Sequence, residues 1–297
     1  MDQRNTACVI GGSGFLGSHV ADQLSDAGYD VVIFDRSPSP WLRSEQRMVI
    51  GDLLDLDAIT AVTAGAQCVY NFAALADLNA ARTRPLQTVQ VNVLGAVNVM
   101  EACRINGVKR MVYASTVYVY SRDGGFYRCS KQAAEHYVEE YQRAYGLDYT
   151  ILRYGSLYGP RADESNGLLR IVSRALESGV LKYEGSPDAL REYIHVEDAA
   201  RASVAALGDE FRNESVVLTG QEPMRVRDLL EMLAEILGFD GVQFVSGEQP
   251  GHYVRTPYAY QPKLGRKYVP PMHVDLGQGL LQLINDIQSR RAARDNK

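Results

Sequence analysis

A glycine-rich turn near the N-terminus constrains the fold of this chain more than any other feature. Gly11, Gly14 and Gly17 are spaced GxxGxxG. They follow an apolar run at residues 7–10 and open a helical pattern over about residues 15–27. Glycine has no Cβ, so the backbone can turn tightly and its N–H groups can approach phosphates at the helix N-terminus. In this strand–turn–helix context the spacing predicts a phosphate-binding turn, whereas a tight turn with close helix packing is the simpler alternative.

The rest of the N-terminal half alternates short apolar runs with helical patterns. Strands are expected at residues 31–34, 48–50, 69–72, 111–114 and 150–154, and helices at about 85–105 and 127–145. Such alternation is typical of parallel strands joined by crossover helices. The fold class expected is therefore α/β, a Rossmann-like doubly wound parallel sheet that binds a dinucleotide at the glycine turn.

The second half of the chain is less regular and predicts a smaller C-terminal lobe that binds substrate. Helices are expected at about residues 168–178, 196–207, 226–237 and 277–291, and a strand at 216–218. Irregular segments packed over a sheet often carry binding residues. We expect residues 1–160 to form an NAD-binding domain to which residues 193–224 return, and residues 161–192 and 225–297 to form the substrate-binding lobe.

Composition excludes several classes of protein. The formal net charge is −5, which argues against nucleic acid as the main partner because phosphate-backbone binding needs a basic face. No apolar run approaches the length of a membrane span, and the N-terminus lacks the apolar core of a signal peptide. The four cysteines, Cys8, Cys68, Cys103 and Cys129, form no CxxC pair. Their pattern favours reduced side chains in the cytoplasm, with neither a disulfide framework nor a metal site.

Two acidic residues follow predicted strands on the cofactor side. Asp35 ends the second strand, where a carboxylate can accept hydrogen bonds from both ribose hydroxyls of a dinucleotide. It would repel a 2′-phosphate, so NAD is expected rather than NADP, although the neighbouring Arg36 can pair with such a phosphate. Asp52 follows the third strand and can reach the adenine edge, or it can serve as an ordinary turn carboxylate.

Tyr127 and Lys131 lie four residues apart, on one face of a predicted helix. An ammonium beside a phenol stabilises the phenolate by Coulomb attraction. Lowering a tyrosine pKa from about 10 toward 7 requires roughly 4 kcal/mol of differential stabilisation. The tyrosine can then exchange a proton with a substrate hydroxyl while hydride moves to or from the cofactor. A YxxxK spacing is common by chance, but its position one helix after the fifth strand predicts a catalytic pair.

Ser115 and Thr116 end the fifth predicted strand. Parallel sheets of this kind bind ligands at the carboxyl edge of their strands, so a hydroxyl group there can orient the reacting oxygen of a substrate. Either side chain can equally be a hydroxyl satisfied locally at a strand end. Both are candidate catalytic residues.

These residues give the chain a resemblance to the extended short-chain dehydrogenase/reductase family, in particular to its nucleotide-sugar epimerases and dehydratases. The resemblance covers nearly the whole chain, and its motifs are residues 11–17, Asp35, Asp52-Leu53, Phe72-Ala73-Ala74, Asn92, Ser115-Thr116, Tyr127 with Lys131, residues 153–161 and residues 191–198. Residues 191–198 read REYIHVED, which is similar to the family's RxYxHVxD signature. The resemblance implies NAD as the cofactor and a nucleotide-diphosphate sugar as the substrate.

The resemblance also implies site residues. It places the following residues at the cofactor, beside the three glycines: Phe15, Leu16, Asp35, Arg36, Asp52, Leu53, Phe72, Ala73, Ala74, Asn92, Tyr127, Lys131 and Tyr154. It places the following residues at the substrate: Thr116, Ser156, Asn166, Arg191 and Arg255. Arg191 would contact the diphosphate, to which a guanidinium is suited. His195 and Asp198 are expected to be structural.

The positions just after the catalytic hydroxyl narrow the expected reaction. Aligning Val119-Tyr120 with the family's VYG places Thr116, rather than Ser115, at the catalytic hydroxyl position. Dehydratases of the family carry Asp-Glu directly after it, and sugar-acid decarboxylases carry Glu, whereas this chain has Val117 and Tyr118. Dehydration and decarboxylation therefore lose their expected catalyst. An epimerase, a dehydrogenase or a ketoreductase needs only the tyrosine, the lysine and the hydroxyl.

Three further departures from the family concern the substrate. Ten residues separate Thr116 from Tyr127, fewer than family members usually have. The family's RxxN reads Arg153-Tyr154-Gly155-Ser156, and its Arg-Pro-Gly-Asp pattern reads Gln249-Pro250-Gly251-His252. Arg255 is expected to take the place of the missing arginine. The identity of the nucleotide and of the sugar is left open.

The leading hypothesis is an NAD-dependent nucleotide-sugar 4-epimerase in which Tyr127 is acid and base at the C4 hydroxyl. An NAD(P)-dependent dehydrogenase or 4-ketoreductase would use the same residues with net cofactor turnover. An NAD-sensing binding protein with a decayed site is a third alternative, against which the intact Tyr127 and Lys131 argue. The predicted helices at residues 85–105 and 127–145 resemble the pair through which family members dimerise as a four-helix bundle, so a homodimer is expected.

Overall fold

The computed structural model describes residues 5–245, 252–260 and Leu281. Residues 1–261 form one compact unit and residues 262–297 a second one. Every element named below belongs to the first unit. Apart from Leu281, the helix predicted at residues 277–291 lies outside the described residues.

Seven parallel strands form the central sheet. The strands of the described residues are β1 (Thr6–Ile10), β2 (Asp30–Asp35), β3 (Arg47–Ile50), β4 (Cys68–Asn71), β5 (Arg110–Thr116), β6 (Tyr149–Tyr154), β7 (Ser156–Tyr158), β8 (Leu181–Glu184), β9 (Leu190–Arg191), β10 (Tyr193–His195), β11 (Glu214–Leu218), β12 (Met224–Arg225) and β13 (Val242–Val245). The order in the large sheet is β11-β6-β5-β4-β1-β2-β3. Strands β1 to β6 follow the 3-2-1-4-5-6 order of dinucleotide-binding folds, so the expected fold class is confirmed.

The first strand shows why the sheet is covered on both faces. Ala7 and Val9 contribute to one apolar core, while Cys8 and Ile10 contribute to the other. All four side chains are fully buried. Successive side chains of a strand point to opposite faces, so a strand that is buried on both sides must be apolar throughout. That requirement is the physical cause of the apolar run that predicts this strand.

Helices cover both faces of the sheet. The α-helices of the described residues are α1 (Phe15–Asp26), α2 (Leu56–Thr63), α3 (Leu78–Thr83), α4 (Pro85–Val89), α5 (Gly95–Asn106), α6 (Gly125–Tyr145), α7 (Gly167–Ser178), α8 (Val196–Ala205) and α9 (Val226–Leu237). Helices α1 and α8 pack together over one face, and α2, α5 and α6 pack over the other. Periodicity does not predict α2 and α3, because both are short. Their local signal is an aspartate cap, since Asp55 and Asp77 accept hydrogen bonds from the first turns.

The helix predicted at residues 85–105 is interrupted. A π-helical turn, Gln90–Leu94, joins α4 to α5. Such a turn shifts the helical register and is often found at functional sites. Asn92 lies in this turn and is 1% exposed. The apolar pattern of the sequence does not predict this change of register, because it is helical both before and after the π-helical turn.

Part of the second half forms a small lobe with its own apolar core. Helices α7 and α9 and the parallel pair β8–β13 enclose the buried Ala175, Leu181 and Leu230. By contrast, β11 pairs with β6 at the edge of the large sheet, and α8 packs beside α1. The domain boundaries expected from the sequence stay predictions.

The described part of the chain has no helix that combines the length and the apolar character needed to cross a membrane. It also contains no group of three or more histidine, cysteine or acidic side chains arranged to hold a metal ion. The four cysteines are free, and Cys129 is the exposed one.

Candidate active site

Many of the predicted site residues lie at one edge of the large sheet. Because the sheet is parallel, its strands all end at the same edge. Gly11 follows β1, Asp35 ends β2, Phe72 follows β4 and Thr116 ends β5. The fold thus brings the predicted cofactor turn and the predicted catalytic hydroxyl to the same side of the molecule.

The glycine turn has no room for side chains. Gly11 has a left-handed backbone with φ +80°, and a Cβ there would lie 2.5 Å from the backbone nitrogen of Ala73. A Cβ on Gly17 would collide with the carbonyl oxygen of Gly11. Gly14 is the N-cap of α1, and it leaves the helix without a side-chain cap. The turn and this helix N-terminus therefore form a cradle that suits a pyrophosphate. The first two residues of α1 are partly or fully buried: Phe15 and Leu16.

Asp35 contacts the glycine turn directly. Its carboxylate oxygens accept hydrogen bonds from the backbone N–H of Ser13 at 3.1 Å and of Ser37 at 3.3 Å. The side chain is half-buried at the end of β2, whereas the neighbouring Arg36 is exposed. Asp35 therefore stands beside the cradle, in the position from which a carboxylate reaches a ribose.

Asp52 and Leu53 have different surroundings. Asp52 is exposed, and its Oδ1 accepts a hydrogen bond from the backbone N–H of Leu54 at 2.9 Å. This is the turn contact, the simpler of the two roles expected for Asp52. Leu53 is buried against Gly95, where a Cβ would collide with the leucine side chain.

Phe72 and Tyr154 pack together below the carboxyl edge of the sheet. Their ring centroids are 6.5 Å apart. The hydroxyl of Tyr154 shares a hydrogen bond with Oγ of Ser203 at 2.7 Å, inside the core. Ala73 and Ala74 follow Phe72 and are half-buried. The polar group of Tyr154 thus serves the core, and its expected role at the cofactor stays a prediction.

Asn92 ties the loop after β4 to the helix that carries Tyr127. Its Oδ1 accepts a hydrogen bond from the Leu75 backbone N–H at 2.7 Å, and its Nδ2 donates to the Leu75 carbonyl at 3.1 Å. Nδ2 also donates to Oγ of Ser130 in α6 at 2.9 Å. Asn92 therefore fixes the position of the loop relative to the start of α6.

Tyr127, Thr116 and Lys131 come together at the end of β5. The side chain of Thr116 lies near enough to the phenol of Tyr127 to lower its pKa. The Lys131 ammonium donates to the Ala114 carbonyl at 2.7 Å and lies 6.0 Å from the ring centroid of Tyr127. It also lies 4.7 Å from the ring centroid of Tyr113. The structure thus assembles the tyrosine, lysine and threonine that the sequence singles out.

Burial shifts the pKa of the two titrating groups in opposite directions. It raises the pKa of Tyr127 to about 12, and the side chain of Thr116 opposes this rise. It lowers the pKa of Lys131 to about 7, and the carboxylate of Glu135 opposes this fall. The charged form of a buried group is unfavourable unless a partner balances it. The phenol is therefore neutral near neutral pH in the protein alone, and a positive charge beside it would favour the phenolate.

Ser115 has a different partner from Thr116. Its hydroxyl donates to Oε1 of Glu135 at 2.5 Å. Glu135 is 2% exposed and accepts two hydrogen bonds from Arg153, at 3.0 and 2.7 Å. The hydroxyl of Ser115 is thus satisfied at the strand end by a side chain of α6, in line with the simpler of its two expected roles. Glu135 is not among the residues predicted from the sequence, although a carboxylate one turn after Lys131 on the same helix face is a usable signal.

Arg191 and Arg255 lie on neighbouring backbone segments. Arg191 is in β9, and Leu190 beside it forms a parallel bridge with Arg255. The guanidinium of Arg191 stacks 4.6 Å from the ring centroid of Tyr253. Arg255 is exposed. Residues 252–260 therefore place the backbone of Arg255 beside the strand that carries Arg191.

Ser156 and Asn166 are held by structural contacts. The backbone N–H of Ser156 donates to the Glu192 carbonyl at 3.2 Å. Asn166 caps α7, since its Oδ1 accepts two backbone hydrogen bonds of 3.1 Å from the first turn. Its Nδ2 donates to the Leu157 carbonyl at 2.8 Å. The substrate roles of both residues stay predictions.

His195 and Asp198 have structural contacts as well. His195 is the N-cap of α8, and its Nδ1 accepts a hydrogen bond from the Glu197 backbone N–H at 3.4 Å. Asp198 pairs with Arg201 one turn further along the helix.

Tyr118 and His252 form a contact that the sequence does not predict. Tyr118 lies in a short 3-10 helix, Val117–Tyr120, between β5 and α6. Its hydroxyl is hydrogen-bonded to Nδ1 of His252 at 2.9 Å, and its ring lies edge-on to Tyr127 with centroids 6.4 Å apart. A phenol therefore stands next to Tyr127, at a position where the resemblance places a carboxylate in dehydratases. No local pattern links two residues that are 134 positions apart.

Comparison with known proteins gives the family. Residues 7–218 match the NAD dependent epimerase/dehydratase family. A putative UDP-glucose 4-epimerase from Methanocaldococcus jannaschii is 26% identical in a match that covers 93% of this chain and 96% of that protein. A UDP-glucuronate 4-epimerase from Thermodesulfobacterium geofontis is 26% identical over 77% of this chain and 80% of its own length.

Solved structures show the same similarity. The UDP-glucose 4-epimerase from Thermotoga maritima with UDP-glucose has a TM-score of 0.78 and 26% identity, and the match covers 86% of this chain and 90% of that one. The UDP-glucose 4-epimerase from Thermus thermophilus in complex with NAD has a TM-score of 0.76 and 26% identity, over 88% and 95% of the two chains. Because the family match spans more than half of its residues, this chain belongs to the NAD-dependent epimerase/dehydratase family.

Proposed function

We propose that this chain is an NAD-dependent nucleotide-sugar 4-epimerase. The observation that carries the proposal is the Lys131 ammonium, which donates to the Ala114 carbonyl at 2.7 Å and lies 6.0 Å from the centre of the Tyr127 phenol ring, at the end of the strand that carries Thr116. Relatives that are named UDP-glucose and UDP-glucuronate 4-epimerases support this reaction and make UDP sugars the first substrates to test.

The residues at the carboxyl edge of the sheet fit NAD. Gly11, Gly14 and Gly17 would hold the pyrophosphate in the cradle that their missing Cβ atoms leave open. Asp35 would bind the ribose hydroxyls and disfavour a 2′-phosphate. When bound, NAD supplies reversible two-electron redox chemistry at C4 of the sugar. Further proposed contacts are Phe15, Leu16, Arg36, Asp52, Leu53, Phe72, Ala73, Ala74, Asn92, Tyr127, Lys131 and Tyr154.

Tyr127 would carry the proton in both directions. It takes the proton from the C4 hydroxyl and later returns it to the oxygen of the opposite epimer. Thr116 would orient that oxygen. A phenol with a pKa of about 12 is a poor base near neutral pH, so the positive charges of Lys131 and of a bound oxidised nicotinamide ring would together favour the phenolate. Since Tyr118 occupies a carboxylate position of the dehydratases, we propose epimerisation and not elimination of water.

Arginines would bind the charged part of the substrate. Arg191 and Arg255 lie on neighbouring segments, and a guanidinium can bind a phosphate through two hydrogen bonds. The ring of Tyr253 holds the Arg191 guanidinium in place by stacking. Ser156 and Asn166 are proposed as neutral contacts to the sugar or the nucleotide.

The test is turnover of purified protein with NAD and a panel of UDP sugars and other nucleotide sugars. We expect interconversion of C4 epimers, followed by chromatography, with no accumulation of reduced nicotinamide. Tyr127→Phe should lower kcat by about 10²–10⁴-fold and leave NAD binding within a few-fold of the parent. Net accumulation of reduced cofactor would instead indicate a dehydrogenase or ketoreductase. Tight NAD binding without turnover across the panel would favour a sensing protein.

A homodimer through α4 and α6 is also proposed. Leu86 and Val89 in α4 are 81% and 55% exposed, and Tyr137 in α6 is 49% exposed. A second copy of the chain would cover these apolar side chains. Leu86→Glu should give a monomer by light scattering, whereas Leu176→Glu, at a residue of α7 that is 64% exposed, should leave the assembly unchanged. A cytoplasmic location stays a prediction that rests on the use of cysteine.

A further inference from the structure

We infer that Glu135 is a positioning residue of the catalytic site, whose buried carboxylate keeps the amine of Lys131 in its charged form. The inference rests on the proposed function, because it takes the ammonium of Lys131 as the group that favours the phenolate of Tyr127. Glu135 itself contacts neither of the proposed reacting groups through a hydrogen bond given by the structure, so it would act through Lys131.

The carboxylate of Glu135 is held in one place by three neighbours. Ser115 donates to Oε1 at 2.5 Å, and Arg153 donates at 3.0 and 2.7 Å. The hydroxyl of Tyr260 donates to Oε2 at 3.3 Å. Hydrogen bonds to the ionised form of a carboxyl group favour that form. The Glu135 side chain, which is 2% exposed and pairs with Arg153 at 2.7 Å, is therefore held in one place, one helical turn from Lys131.

Lys131 needs such a charge because its other neighbours are neutral. The side chain is 3% exposed. Its ammonium meets the carbonyl of Ala114 and the rings of Tyr113 and Tyr127. These contacts replace only part of the lost hydration of a buried ammonium. Among the charged groups of the described residues, Glu135 is the one that raises the pKa of Lys131 against the effect of burial.

Arg153 holds the carboxylate and is itself enclosed by aromatic groups. Its guanidinium lies 4.8 Å from the ring centroid of Tyr120 and 5.7 Å from that of Tyr260. It also donates to the Tyr120 hydroxyl at 2.5 Å. These contacts fix the pair of Arg153 and Glu135 between β6 and α6.

Direct titration of Lys131 tests the inference without turnover. The sequence contains six lysines, so NMR spectra of protein labelled with ¹³C-lysine are simple, and Lys131→Met assigns the signal. In Glu135→Gln we expect the titration midpoint of Lys131 to fall by about one pH unit or more. Tyr260→Phe is the matched control, because it removes one hydrogen bond to the same carboxylate and keeps its charge. An unchanged midpoint in folded Glu135→Gln would overturn the inference, and so would an equal fall in Tyr260→Phe.

Glu135→Gln leaves the buried Arg153 without its counter-charge, which can prevent folding. The double variant Glu135→Gln with Arg153→Gln removes both charges together and keeps the site neutral. In this double variant the titration midpoint of Lys131 should also fall. An unchanged midpoint would overturn the inference.

Turnover separates this inference from the proposed function. In active enzyme, the loss of kcat with rising pH should move to lower pH in Glu135→Gln, because the lysine loses its proton earlier, and should stay in place in Tyr260→Phe. If the parent protein turns over no nucleotide sugar while the NMR midpoint still responds to Glu135→Gln, the proposed function fails and the coupling of Glu135 to Lys131 stands.

Discussion

The buried ammonium of Lys131 should make the folded state less stable than a neutral side chain of similar length would, and Lys131→Met measures this effect. Burial lowers the pKa of Lys131 from 10.5 to about 7. At about 1.36 kcal/mol per pH unit, the shift corresponds to roughly 5 kcal/mol against the charged form. Methionine removes this cost but leaves the Ala114 carbonyl without its donor, which costs about 1–3 kcal/mol. We therefore expect the variant to be more stable by about 2–4 kcal/mol at about pH 6.

The gain should depend on pH with a defined sign. The folded chain releases the Lys131 proton near pH 7, whereas the unfolded chain holds it up to about 10.5. Between these values the unfolded state binds more protons, so the stability of the parent rises with pH. The variant lacks this contribution. The difference in stability is therefore largest below about pH 7 and shrinks as the pH approaches about 10.

Urea unfolding followed by circular dichroism, at about pH 6 and about pH 9, measures both effects. Lys182→Met is the control, because the side chain of Lys182 is 54% exposed and its replacement should change the stability by less than about 0.5 kcal/mol. Activity of Lys131→Met should be lost at both values of pH. A variant that is less stable than the parent at about pH 6, or a difference that does not change with pH, would refute the reasoning.

Three further predictions concern the proposed cofactor and substrate contacts. Gly17→Ala should weaken NAD binding about tenfold or more by calorimetry, because the added Cβ displaces the Gly11 carbonyl. Gly167→Ala is the control and should bind NAD as the parent does, because nothing lies within 4 Å of its added Cβ. Asp35→Ala should weaken NAD binding about tenfold and weaken NADP binding less. The variant loses the acceptor for the ribose hydroxyls and, with it, the charge that repels a 2′-phosphate. An unchanged ratio of the NAD and NADP affinities would contradict the role of Asp35. Arg191→Ala should raise the KM for the nucleotide sugar about tenfold with a smaller change in kcat, as expected for a contact to the non-reacting diphosphate. A fall in kcat at constant KM would exclude that contact.

Sequence patterns predicted those parts of the fold in which the residues that determine the structure are close together along the chain. The four apolar residues of β1 and the three glycines after it are dictated by burial on two faces and by the lack of space at Gly11 and Gly17. The pair Tyr127 and Lys131 was found for the same reason, because a spacing of four residues fixes a common helix face. Each of these features can be predicted from residues that are close together along the chain.

Features that depend on distant residues were not predicted. Tyr118 meets His252 across the molecule, and β13 extends β8 in the small lobe. The spacing of Lys131 and Glu135 is visible in the sequence, but only the fold shows that Arg153 pairs with the carboxylate. The assignment of Ser115 as a candidate catalyst was ambiguous for the same reason, since only the fold shows which hydroxyl faces Glu135 and which faces Tyr127.

The side chain of Asn92 couples ligand binding at the loop after β4 to the motion of α6. Leu75, in the loop after β4, and Ser130, in the second turn of α6, share this single side chain as their anchor. A ligand that immobilises this loop should therefore also restrict the motion of α6, the helix that contains Tyr127. Amide hydrogen exchange around Ser130 should therefore slow when NAD alone is added, because the position of Tyr127 would become fixed before a substrate binds.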